Sequence, residues 1–292
     1  MSESKKIAIT TDSNSGILNA ECKDKGIFVL PMPFLIDGEC YFENVNFSQE
    51  QFYEKLAQNA EVSTSQPSVG ELTEFWTDIL KTYDEIVHIP MSSGLSQSCA
   101  TATALATDFN GKVLVVDNRR ISVTMKESVY DAAKLRDNGR SAIEIKDYLE
   151  ETAACSSIYI AVDTMKYLKK GGRVTPAAAM IGTILKLKPV LQIHGAKLDK
   201  FALPRGILKA KEEMKAAMKK DMETKFAQYV ENGEMALYVA HTNNGVEAQK
   251  FAEELKALFP NIPVTYCDPL SLSVSCHIGP GSLAVACAKF VK

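Results

Sequence analysis

At 292 residues, with 46% hydrophobic and 24% charged residues, the chain has the composition of a globular protein of one large or two ordinary domains. That mix excludes a disordered chain, a collagen and a disulfide-stapled mini-protein. A formal net charge of −3 and a pI near 5.9 provide no global basic field to hold nucleic acid or an anionic membrane.

The first half alternates strand-like and helix-like segments. Residues 6–11 (KIAITT), 27–36 (IFVLPMPFLI), 85–91 (EIVHIPM) and 112–117 (KVLVVD) are short Ile- and Val-rich runs without polar alternation, as expected for strands covered on both faces. Between them Ser48–Gln51, Ser68–Glu71 and Ser141–Glu144 have the S-x-x-E/Q spacing of a capping box and mark helix starts. This alternation predicts an α/β domain over 1–155, a mostly parallel sheet with helices on both faces.

The texture changes near residue 155. Residues 157–162 (SIYIAV) predict a strand, 191–203 a hairpin around Gly195, and 206–231 one long charged helix. Strands are expected at 235–241, 264–267 and 270–277, and a closing helix at 282–290. A second α/β domain with a mixed or antiparallel sheet is therefore expected over 156–292.

Seven cysteines, Cys22, Cys40, Cys99, Cys155, Cys267, Cys276 and Cys287, form no C-x-x-C pair. Residues 1–6 have no apolar signal-peptide core, and no run approaches the ~18 apolar residues of a membrane span. A cytoplasmic location without stable membrane insertion is expected.

Neither a G-x-x-x-x-G-K-[ST] loop nor a G-x-G-x-x-G turn is present to bind a nucleotide. The histidines His88, His194, His241 and His277 have no metal-ligand spacing, so no metal and no cofactor are expected. Gly94–Ser98 (GLSQS) lacks the last glycine of a nucleophile elbow.

Four polar clusters remain. Thr10–Gly16 lies at the carboxyl end of the first strand, where open α/β sheets bind ligands, although a capped turn is the plainer account. Ser63–Ser68 and Met91–Ser96 are hydroxyl-rich loops leading into helices. Hydroxyls and free N–H groups at helix starts cradle an anion, and with no cation in either loop they suit one carboxylate better than a triphosphate. The fourth cluster places His277 before Gly279-Pro280-Gly281. Arg173, on the glycine turn after Lys169 and Lys170, is placed to pair with a phosphate or a partner's carboxylate.

In order, Ala8–Ser13, Thr64–Ser68 (TSQPS), Ser92–Ser96 (SSGLS), Val116–Asn118, Leu168–Val174, Gly182-Thr183 through Lys188–Leu191, and His277–Gly281 resemble the DegV family of bacterial proteins. The resemblance implies a two-domain α/β fold holding a long-chain fatty acid, such as palmitate, stearate or oleate, between the domains. It is similar in particular to the FakB-type subunits of bacterial fatty acid kinase, which are not complete enzymes. Such a subunit presents the carboxylate to a separate ATP-dependent kinase subunit.

Carried over, the carboxylate lies against Thr64 and Ser93, with Ser63, Ser92 and His277 completing the network beside Gly94 and Gly279. Arg173 becomes the family's exposed arginine, for kinase docking or phosphoryl transfer. No residue is assigned a catalytic role of its own. Gln97, Ser98 and Cys99 depart from the family's usual glycine and hydroxyl residues after Ser96, and Ser63 stands where a second threonine is frequent.

Neutral donors match a single carboxylate. Burying a sixteen-carbon chain gains about 0.8 kcal/mol per methylene, roughly 12 kcal/mol before ordering costs. The alternatives are a hydrolase or acyltransferase using Ser93 or Ser96 with His277, and a lipid store or sensor without a kinase.

Overall fold

The computed structural model describes residues 5–18, 22–182, 187–193 and 197–292. Thr183, His194 and the hairpin tip expected at Gly195 lie outside the described residues.

Thirteen strands are described: β1 (Ile7–Asp12), β2 (Ile27–Leu30), β3 (Pro33–Ile36), β4 (Glu39–Phe42), β5 (Val62–Thr64), β6 (Glu85–Ile89), β7 (Val113–Val115), β8 (Ser156–Ala161), β9 (Val190–Ile193), β10 (Leu198–Ala202), β11 (Met235–His241), β12 (Val264–Pro269) and β13 (Leu283–Lys289). Sheet one, ordered β2-β1-β6-β7, is parallel throughout. Alternate residues of one strand serve opposite faces. Ile7 and Ile9 meet Val129, Ile145 and Leu149 on one side, and Ala8 meets Leu72, Trp76 and Ala102 on the other. Helices on both faces are what the unbroken apolar strands predict. Ser48, Ser68 and Ser141 all form the expected capping boxes.

Sheet two is mixed, ordered β10-β9-β8-β13-β11-β12, with only β11–β12 parallel. One face packs Leu237, Val239 and Val285 against Met214, Met218, Phe251 and Leu255 of the helices Ile207–Glu223 and Gly245–Leu258. The other face is rich in alanine: Ala236, Ala240, Ala284, Ala286 and Ala288. Small side chains allow close approach there, and Leu95 and Ile121 from the first half pack into the same cluster. The helix Ser122–Asp137 touches β1 and β6 on one side and β11 and β13 on the other.

Several expectations from sequence are corrected. Residues 27–36 are two strands in different sheets. Pro31 interrupts the run, and the Met32 N–H leaves the ladder to donate to Ser13 Oγ at 2.9 Å. β3 then starts a small antiparallel sheet, β4-β3-β5, turned by Asp37 and Gly38 at φ 52° and 91°. Ser63 and Thr64 consequently lie on a strand rather than in a loop.

Residues 270–277, expected as a strand, fall mostly in the helix Leu272–Ile278, with Ser271 Oγ accepting from the Val274 N–H. Residues 282–290, expected as a helix, form β13, hydrogen-bonded between β8 and β11. Alanine favours helix locally, but two paired flanks outweigh that preference. The long helix expected over 206–231 breaks at Thr224 (φ −122°, ψ −72°) into Ile207–Glu223 and Ala227–Glu231.

Candidate functional site

The site is built where β5, the loop after β6, and the helix Leu272–Ile278 converge. Antiparallel pairing with Phe34 fixes Thr64 at the end of β5. His277 sits in the last turn of its helix, and its Nε2 lies 2.8 Å from Thr64 Oγ1. The ring is backed by Gly171, where any Cβ would collide with Nδ1. Burial first, and the Arg173 guanidinium second, hold the imidazole pKa down to about 4. His277 is therefore neutral at pH 7, with one ring nitrogen a donor and the other an acceptor.

Arg173 is half-buried. It donates from Nε to Leu95 O at 3.4 Å and from Nη1 to Gly171 O. It faces a cavity of about 350 Å³ whose apolar lining is Met32, Met91, Leu95, Ile121, Leu168, Leu198, Val274 and Ile278. Polar groups gather with Thr64, His277 and Arg173: Asn14, Ser65, Gln66, Ser96, Gln97 and Ser273. An apolar pocket with a few convergent polar groups is the general form of a small-molecule site.

The DegV family model, described as an uncharacterised protein family, matches residues 6–289. This chain belongs to the DegV family. It is 30% identical to Protein DegV of Bacillus subtilis over 96% of this chain and 98% of that one. Among solved structures it resembles DegV, a fatty acid binding protein from Bacillus subtilis (28% identity, TM-score 0.84, covering 98% and 100% of the two chains). A DegV family protein from Thermus thermophilus, described by its fatty acid binding, is also similar (25% identity, TM-score 0.85, covering 98% and 100%). The parallel sheet and the mixed sheet are thus the architecture of this family.

Of the residues singled out from sequence, Thr64, His277 and Arg173 line the cavity. Ser63, Ser92, Ser93, Gly94 and Gly279 are not among its lining residues. Neighbouring strand positions point to opposite faces, so Ser63 is exposed while Thr64 turns inward. Ser92 is buried and shapes its loop: its N–H donates to Arg120 O at 2.9 Å, and its carbonyl accepts from Leu95 and Ser96. Ser93 is exposed, its N–H 3.4 Å from Asp117 Oδ1, and Gly94 donates to Ser92 Oγ. Gly279 lets the chain turn after the helix at φ 78°, where a side chain would strike the Tyr167 ring.

Arg173, expected as an exposed arginine, is instead anchored to the cavity wall by its two carbonyl contacts.

Ser96 Oγ contacts Ser98 Oγ at 2.7 Å, and the His277 side-chain hydrogen bond goes to Thr64. A serine nucleophile held by this histidine is not formed. His88 is a core residue, 2.9 Å from Thr10 Oγ1 and edge-on to Trp76. His241 accepts from the Asn244 N–H.

Asn14, from the polar cluster at the end of the first strand, and Ser273, in a segment whose alternation suggests a strand, also line the cavity. Buried Asp12 connects them to the loop after β6, accepting from Asn14 through Oδ1 and from the Met91 N–H through Oδ2 at 2.9 Å. Among the described residues, no group of three or more His, Cys, Asp or Glu side chains is placed to hold a metal ion, and no helix is long and apolar enough to cross a membrane.

Proposed function

We propose that this protein binds a long-chain fatty acid in the cavity between its two halves, 1–155 and 156–292, taken as two domains. The carboxylate lies against Thr64 and His277, and the acyl chain against Leu95, Ile121, Leu168 and Leu198. The observation that carries this reading is the Thr64–His277 pair, 2.8 Å apart, at a cavity whose wall also presents Leu95, Ile121, Leu168 and Leu198 to an acyl chain. With Nδ1 turned to Gly171, the imidazole Nε2–H donates to Thr64 Oγ1 and the threonine hydroxyl donates onward to the anion, while Arg173 adds a single positive charge at the edge. The fatty acid binding stated for the Bacillus subtilis and Thermus thermophilus relatives supports the same ligand class.

The protein presents the bound carboxylate to a separate ATP-dependent kinase subunit and is not itself a complete enzyme. In that assembly the carboxylate oxygen attacks the γ-phosphorus of ATP, ADP leaves, and an acyl phosphate forms on the carrier. Having no phosphate-binding loop of its own agrees with a partner that supplies the nucleotide. Arg173, on the cavity wall, offsets the charge of the new phosphate.

Titration with palmitate and with its methyl ester tests the carboxylate assignment. The acid binding at least about tenfold more tightly supports it, since hydrogen bonds to a charged group exceed neutral ones by that order. Equal affinities would overturn it.

A further inference from the structure

By connectivity the helix Leu272–Ile278 belongs to sheet two, entering from β12 and leaving into β13. Its contacts run the other way. The Leu272 N–H donates to Glu43 Oε2 at 2.7 Å, Ser271 Oγ and Ser273 Oγ donate to Asn14 Oδ1 at 3.2 and 2.5 Å, and Ser275 Oγ lies 3.0 Å from Tyr53 Oη. At the far end His277 meets Thr64. Leu272 and Cys276 are buried with Phe34, Phe52, Leu56 and Val62 around the small antiparallel sheet. Polar contacts and this apolar cluster together bind the helix to the first half of the chain.

Glu43 holds the start of this helix without lining the cavity; it borders a separate groove together with Gln49, Asp268 and Ser271. Gln49 Nε2 braces it, donating to Glu43 Oε1 at 2.6 Å and to Leu270 O at 3.1 Å. The pair therefore grips both an N–H and a carbonyl of the two residues flanking the Ser271 cap. At about 1.5 Å rise per residue, Leu272 and His277 are roughly 7.5 Å apart along one short helix. A shift at the first is carried to the second as a rigid displacement.

We propose that Glu43 is a positioning residue for His277, setting how deeply the helix seats and so how closely the imidazole approaches Thr64 and the ligand. This role rests on the carboxylate site proposed above. Loss of Glu43 leaves the Leu272 N–H without its partner and frees the helix to slide.

The test is palmitate affinity for Glu43→Ala and Glu43→Gln, each in the wild-type and the His277→Ala background, with thermal unfolding recorded for all. Expected is a loss of about tenfold for Glu43→Ala, most of it recovered by Glu43→Gln, whose side-chain oxygen still accepts from Leu272. In the His277→Ala background the same Glu43→Ala change moves affinity by less than about twofold, because residues acting through one another are not additive. An equal loss in both backgrounds, or no loss, overturns the role.

If Glu43→Ala does not fold, Gln49→Ala, which removes the brace alone, carries the same expectation at smaller size. Unchanged affinity in a folded Gln49→Ala protein then counts against the role. Wild-type protein that takes up no palmitate would overturn the fatty acid reading, and this role with it.

Discussion

Thr64 Oγ1 and His277 Nε2 lie 2.8 Å apart although 213 positions separate them in the chain. One comes from the last residue of a three-residue strand, the other from the last turn of a short helix. Their meeting converts two unremarkable polar residues into a neutral anion cradle.

Thr64→Val and His277→Ala are each expected to weaken palmitate binding. A hydrogen bond to a charged group contributes about 1.5–3 kcal/mol, or roughly ten- to a hundredfold in affinity. Isothermal titration measures the loss. The double variant is expected to lose less than the product of the two single effects, since each removes a partner of the other.

Gly171 gives a sharper test, because two effects oppose. Alanine at a helical position ordinarily gains about 1 kcal/mol over glycine, yet a Cβ here enters the space of the His277 ring. Gly171→Ala is therefore expected to reduce fatty acid affinity whatever it does for the helix. Gly172→Ala is the contrast: it meets nothing within 4 Å but sits at φ 68°, costing about 1–2 kcal/mol of stability and leaving affinity intact. Thermal unfolding and titration of both variants separate the two.

The acid side of the stability profile is expected to reflect His277. Its folded pKa, held down to about 4, lies below the ordinary 6.5. Between those values the unfolded chain binds a proton that the folded protein refuses, so stability falls as pH falls through 6.5 towards 4. Buried His88, pushed down to about 3, contributes with the same sign. Buried Asp12 and Asp131, pushed up to about 6 and about 7, act with the opposite sign in both proteins, so the difference between variants isolates His277: from pH 7 to 4 the melting temperature of His277→Gln should rise relative to that of wild type.

Arg173→Ala should raise the His277 pKa by removing a neighbouring positive charge, a change that imidazole NMR reads directly. With a cognate kinase subunit and ATP, the same variant is expected to form less acyl phosphate at saturating fatty acid. Undiminished acyl phosphate would remove Arg173 from the phosphoryl-transfer step.

Much of the architecture is legible in the residues themselves. The Ile- and Val-rich runs at β1 and β6 and the three serine capping boxes behave as their local chemistry dictates. The failures have local causes. Leu270–Cys276 (LSLSVSC) alternates with period two, but Ser271, Ser273 and Ser275 find partners at Asn14 and Tyr53 as a helix, and that tertiary gain decides its form.

β13 contains helix-favouring alanines whose small size serves instead the close packing of the cluster that includes Leu95 and Ile121. The hydroxyl-rich loops identify the region of the site. Which hydroxyl lines the cavity depends on strand pleat and pairing for Thr64 rather than Ser63, and on the turn of the loop after β6 for Ser96 rather than Ser93. The apolar lining is drawn from separated segments, so no local pattern announces it.

Native mass spectrometry of the freshly purified protein, with extraction and identification of any lipid, tests the central claim most directly. The predicted result is a stoichiometric adduct of fatty acid mass, lost in the Thr64→Val/His277→Ala protein that remains folded. A clean protein mass that stays unshifted after incubation with palmitate, stearate and oleate would contradict it.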